Sequence, residues 1–217
     1  MPRNKLAQDR EEKRTEIVSA ARRLFLQDGY EATSMSRLAT EVGVAANTIY
    51  WYFDDKDDVL VAVLDVELAD GSQAYQELRA KRVVERMLWL LVRLQQVSRL
   101  VTTVHARVAL SARVHDWHER FHELIEAMIH AELEQMGVPA NARDPAAKIW
   151  VFTMEGLLAH PMNKARQRAI CEVLTAGLEE PRRSRGEHRG DRVLPDLDVV
   201  PGAADGSAAE GQAKGLR

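Results

Sequence analysis

Cysteine is almost missing from this sequence. Cys171 is the only one, so no disulfide can close within the chain, which suits a reducing compartment. Aromatic residues are 6% of the total, and continuous β-branched runs bounded by turns do not occur, which argues against a sheet. No uncharged apolar run approaches the roughly 18 residues that cross a bilayer, so no membrane partner is expected. The opening Met1-Pro-Arg-Asn-Lys-Leu6 lacks the apolar stretch of a secretory signal, and a cytoplasmic location is expected. Neither sign of charge dominates: 30 Lys and Arg face 33 Asp and Glu, which excludes both a wholesale basic chain and an acidic solvating one. A Ser/His/Asp set, a Gly-rich phosphate loop and a pair of catalytic carboxylates are all missing. We expect no catalysis and no cofactor.

What is present is helical periodicity. The 217 residues suffice for one large or two small domains with a core that needs no covalent staples. Apolar residues recur at spacings of three and four throughout, which predicts an all-α fold. Ile17, Ala21, Leu24 and Phe25 form a stripe behind the charged Arg10–Arg14 and stop at Asp28-Gly29, a helix-end signal. Thr33-Ser34 is placed to cap a short helix holding Leu38, Ala39 and Val42, which Gly43 ends. A third short helix is expected over Thr48–Phe53, and a longer one after Asp54-Asp55. Further on, Val83 to Val104 reads as one amphipathic helix and Val114 to Met128 as another. Asp144-Pro145 reads as an N-cap followed by proline at the first helical position. Ile149 to Leu158 is apolar nearly all round and predicts burial on several sides. Ile170, Val173, Leu174 and Leu178 close the ordered part. Residues 181–217 hold half of the glycines and no aromatic residue, so a disordered tail is expected there.

Residues 33–53 fit a helix-turn-helix. Two short helices must cross with their backbones close, and Ala39 and Gly43 supply the small side chain and the tight turn. Leu38, Val44, Ile49 and Phe53 can then bury against the first helix. Ala46, Asn47, Thr48 and Tyr52 are left facing outward, where a second helix meets a major groove. Residues 1–53 carry eight basic and seven acidic residues. A nucleic-acid face therefore requires Arg3, Lys5, Lys13, Arg14, Arg37 and Lys56 to be segregated on one side.

From Ile17 to Leu60 this segment resembles the DNA-binding domain of the tetracycline-repressor (TetR) family of bacterial transcription regulators. The residues that carry the resemblance are Ala21-Arg-Arg-Leu-Phe25, Gly29-Tyr-Glu-Ala-Thr33, Leu38-Ala39 and Thr48-Ile-Tyr-Trp-Tyr-Phe53 with Lys56 and Leu60. The resemblance implies that Thr48, Tyr50 and Tyr52 approach phosphates and base edges and that Lys56 contacts the DNA backbone. Ser34, Ser36 and Arg37 have the chemistry of further phosphate contacts, and Asn47 that of an adenine reader. The chain departs from many relatives in having Ala45-Ala46-Asn47 before Thr48 and Tyr52 where a histidine is common, and both bear on base preference. The resemblance further implies a DNA-binding domain over residues 1–56 and a ligand-binding and dimerisation domain over 57–180. The protein would then be a homodimeric repressor that binds a palindromic operator and is released by a small hydrophobic effector. Two recognition helices must lie about 34–36 Å apart to enter successive major grooves, so a small change in spacing would abolish binding.

Trp89, Trp117, Phe121, Met128, Trp150 and Met154 are large apolar residues on the long helices, suited either to line an effector pocket or to fill a core. His118-Glu-Arg-Phe-His122 matches H-E-x-x-H. With His115, the two histidines fall within about 60° on a helix, an arc about 125° from the centre of the Trp117, Phe121, Leu124 stripe. This spacing leaves open a metal site formed by His115, His118 and His122, and with it a metal-responsive regulator or metal-dependent protein, beside an ordinary solvated or pocket-edge histidine face.

Overall fold

The computed structural model describes residues 2–160 and 162–179, with side chains from residue 8 to residue 178. The expected tail from Pro181 lies outside the described residues. Among them there are helices and no strand. The first four helices are α1 (Pro2–Gln27), α2 (Met35–Glu41), α3 (Ala46–Ile49) and α4 (Lys56–Glu77). They are followed by α5 (Val83–Gln96), α6 (Ser98–Arg107), α7 (Ala112–Gln135), α8 (Ala140–Ala159) and α9 (Lys164–Glu179).

The local chemistry at the helix ends is largely that of the sequence reading. α1 ends where the amides of Asp28 and Gly29 both donate to the Leu24 carbonyl, and Gly29 sits at φ +94°. Ser34 caps α2 by accepting from the Arg37 amide at 3.1 Å, an arrangement worth about 1 kcal/mol. Gly43 sits at φ +68°, where a Cβ would cost about 1–2 kcal/mol. Asp55 caps α4 through the Asp58 amide, and Ser111 caps α7 through that of Val114.

Four expectations need correction. The expected Thr48–Phe53 helix is only Ala46–Ile49, and it continues as tight turns in which Trp51 and Tyr52 donate to carbonyls three residues back. The stripe from Val83 to Val104 is two helices, broken at Val97, whose backbone leaves helical geometry at φ −103°, ψ 21°. The break redirects α6 so that Arg99 reaches the Gln27 carbonyl at the end of α1. Apolar spacing is the same on both sides of the break, so periodicity alone does not reveal it. Asp144-Pro145 does not open α8. The helix begins at Ala140 after Pro139, with Pro145 inside it. Within one chain Ile149 to Leu158 is buried on one side only: Trp150, Met154 and Leu157 are buried, while Ile149 and Phe152 are 54% and 67% exposed.

Two core clusters organise the chain. The first joins α1 to α4 through Ile17, Leu24, Phe25, Leu38, Ile49 and Phe53, and takes in Leu100 and Val104 of α6 with Val114 and Trp117 of α7. The second joins α5, α7, α8 and α9 through Met87, Leu91, Leu133, Trp150, Leu157 and Cys171. One end of α7 belongs to the first core and the other end to the second, so this helix connects them mechanically. Among the described residues no helix is long and apolar enough to cross a membrane.

Candidate nucleic-acid interface and effector cavity

Ile49 and Phe53 are four residues apart and point inward at 0% and 1% exposure. That fixes what α3 and its following turn can present. Asn47 and Tyr50 are exposed, whereas Thr48 and Tyr52 are half-buried, Tyr52 packing on the first core beneath Arg10. Tyr52 is thus less outward than its spacing predicts. Trp51, 74% exposed, is the more prominent aromatic and is missing from the sequence-derived set. The signal for it was available: a residue midway between two inward positions four apart must point away from the core.

The expected phosphate contacts are arranged unevenly. Ser36 is exposed on α2, while the Ser34 hydroxyl is occupied in capping. Arg37 is exposed and donates to Asp28 at 2.5 Å and to the Ala32 carbonyl at 3.3 Å. Lys56 turns inward, donating to the Tyr30 carbonyl at 3.0 Å with its ammonium 4.0 Å from the Tyr30 ring centre. Lys13 pairs with Glu16, and Arg14 lies over Phe53. The side chains of Arg3 and Lys5 lie outside the described residues.

Behind this surface a polar junction ties α4 to both sides. Asp57 accepts from the Tyr30 hydroxyl at 2.5 Å and takes a bidentate pair from Arg107 of α6 at 3.1 and 2.5 Å. Burial alone would raise the Asp57 carboxyl. The Arg107 and Tyr30 hydrogen bonds outweigh it and hold the group below its ordinary range. Arg113 of α7 adds pairs to Asp54 and Asp58. The start of α4 is therefore clamped to α6 and α7.

A cavity of about 390 Å³ opens among α4 to α8, within the roughly 300–1,000 Å³ of small-molecule sites. Trp89, Trp117, Phe121, Met128, Trp150 and Met154 all line it. Most of its wall is aliphatic or aromatic. Besides the Glu126–Lys148 pair and Glu155, three polar groupings interrupt it. Glu67, on the wall, pairs with Arg93 of α5 and, at 2.6 Å, with Arg22 of α1. Glu132 pairs with the buried Arg86 and accepts from the Tyr75 hydroxyl at 3.4 Å. Burial, then the Glu132 charge, pushes the Tyr75 phenol up to about 12. The third grouping is histidine.

His118 and His122 line the cavity beside Phe121, their Nε2 atoms 3.0 Å apart, and His105 of α6 brings its ring centre to 5.6 Å from that of His118. The helical-wheel expectation placed these residues away from the apolar stripe. The cavity side of α7 is wider than that stripe: it takes in Ile125 and Ile129, which fall about 80° and 120° round the helix from Trp117, beside His118 and His122. His115 is exposed and does not join the cluster lining the cavity. The metal triad His115, His118, His122 is therefore not assembled: among the described residues no three His, Cys, Asp or Glu side chains converge on a metal position.

The chain thus combines a compact helix-turn-helix with a cavity-bearing helical bundle. Residues 17–63 match the family of bacterial regulatory proteins designated tetR. The HTH-type transcriptional regulator HbdR of Aromatoleum sp. (strain CIB) is 46% identical over 54 residues, 25% of this chain and 24% of HbdR. The HTH-type transcriptional regulator AcrR of Shigella flexneri is 34% identical over 77 residues, 36% of each chain. The sequence match thus spans about a quarter to a third of these relatives. A candidate transcriptional regulator of Saccharomonospora viridis, solved in complex with choline, has the same fold, with a TM-score of 0.62 at 20% identity, over 79% of this chain and 97% of that one.

Proposed function

We propose that this protein is a homodimeric, ligand-responsive transcription regulator of the cytoplasm that acts by binding rather than catalysis. It binds a palindromic operator as a repressor and leaves it when a small hydrophobic molecule fills the cavity. Asn47, Thr48, Tyr50 and Tyr52 read the major groove, Ser36 and Arg37 hold phosphates from the surface, and Ser34 and Lys56 do so with the protons left over from the α2 cap and the Tyr30 carbonyl. Residues 1–56 serve DNA and 57–180 serve effector and dimer.

The observation that carries the reading is that cavity wall and DNA-domain support share residues. Glu67 lines the cavity and holds Arg22 of α1. Trp117 lines it and donates to Asp65 of α4 at 2.9 Å. A ligand that displaces either side chain acts on the helices that position α2 and α3. Such a coupling needs two arrangements of the same packed elements, with the ligand preferring one.

Dimerisation is supported by the apolar residues that one chain leaves in water: Ile149 and Phe152 on α8 and Val173 on α9, the last 75% exposed. Large apolar side chains left exposed on α8 and α9 are what an interface between copies would cover. We expect the double substitution Ile149→Arg/Phe152→Arg to halve the mass seen by sedimentation and to abolish retention on operator DNA. A variant that remains dimeric and bound would refute the assignment of this face.

A further inference from the structure

We propose that the effector is an amphipathic anion, an apolar body carrying a carboxylate head, and that His118 and His122 are the groups that recognise the head. This rests on the effector cavity proposed above and assigns its ligand chemistry.

The assignment follows from which polar groups in the cavity are already committed. Glu67 is held by Arg22 and Arg93, Glu126 by Lys148 at 3.2 Å, and Glu132 by Arg86. Each of these charges has its counter-ion, and breaking such a pair to serve a ligand leaves the partner uncompensated. The histidines are different. The Nε2 atoms of His118 and His122 face each other at 3.0 Å, and a neutral pair can place only one proton between them. Nδ1 of His118 is buried without a hydrogen-bond partner. A proton on both facing Nε2 atoms would need an acceptor from outside the pair.

Burial first, then His122 and His105, lowers the His118 pKa below the ordinary histidine value. Glu119, 3.7 Å from His118 Nδ1, is 61% exposed and screened by water. Lys148 of α8 and Arg93 of α5 add fixed positive charges to the cavity wall, each already paired with a glutamate, and Glu155 of α8 is exposed on the cavity lining. A carboxylate beside the histidines accepts from both rings and supplies the missing negative charge. A cationic head disfavours that second proton and offers the rings no acceptor. The aliphatic and aromatic walls take the apolar body, each buried methylene contributing about 0.8 kcal/mol.

The two features together predict a proton-linked preference. Binding of the anion favours a protonated pair, so affinity rises as pH falls through the histidine range. The test uses decanoate, decanol and decyltrimethylammonium, which share a tail and differ in head. Binding to the full-length protein is read by quenching of tryptophan fluorescence, since Trp89, Trp117 and Trp150 line the cavity. At about pH 6, decanoate should bind roughly tenfold more tightly than either other probe, and the advantage should shrink about threefold or more by about pH 8. In His118→Gln/His122→Gln, the ratio of decanoate to decanol affinity should fall towards one at both pH values. Equal binding of decanoate and decanol, or tighter binding of the cation, overturns the histidine assignment and leaves the effector cavity standing. Failure of all three probes to bind overturns the cavity reading with it.

Discussion

Asn47→Ala/Tyr50→Ala is expected to lower operator affinity at least about a hundredfold, equivalent to about 2.8 kcal/mol. Both side chains are exposed on or just after α3, and neither contributes to the core. A base-edge contact is worth about 1–3 kcal/mol, and a two-fold dimer makes each contact twice. Stability should change little, because surface substitutions away from caps and cores move it by about 0.5 kcal/mol. Fluorescence anisotropy on a labelled operator measures the first quantity, and urea unfolding the second. The salt dependence gives a further discrimination. Removing a base contact leaves the slope of log affinity against log salt nearly unchanged, whereas removing a phosphate contact such as Arg37 lowers it by about one per site. Affinity retained within about threefold would mean that this helix does not read bases.

The largest effect on stability is expected at Glu132. Its carboxylate pairs with Arg86, which is 5% exposed and whose Nε already lacks a partner. Glu132→Ala leaves that guanidinium buried without a counter-charge and removes the acceptor for Tyr75. The expected loss is about 3–5 kcal/mol. The double variant Arg86→Met/Glu132→Leu should recover most of it, since an apolar pair of similar volume avoids the desolvation of both ions. Urea unfolding of the three proteins tests both statements. A single variant that loses under about 1 kcal/mol would show that water reaches Arg86 and that the pair is not part of a dry interior.

The helix-turn-helix was the most legible part of the sequence because its determinants are local. Gly29 and Gly43 adopt the left-handed backbone that their turns need, Ser34 caps as expected, and Ile49 and Phe53 fall on the spacing that buries both. The cavity was legible as composition but not as shape. Six apolar residues chosen for size and position all line it, yet the polar groups within it depend on distant partners, such as Arg22 with Glu67 across 45 positions. Helix boundaries failed where nothing local marks them. Val97 breaks a stripe whose period continues across it, and Pro145 stands inside α8 because Pro139 provides an earlier start. The histidines failed through the choice of reference stripe. The Trp117, Phe121, Leu124 stripe marks only one edge of the cavity side of α7, which extends through Ile125 and Ile129 to His118 and His122.

Capture and sequencing of sheared genomic DNA on the purified full-length protein tests the central claim most directly, with Asn47→Ala/Tyr50→Ala run in parallel. The account predicts an enriched site of two-fold symmetry, its half-sites about one helical turn apart, and no enrichment by the variant. Capture of DNA without sequence preference, equal for the two proteins, would contradict it.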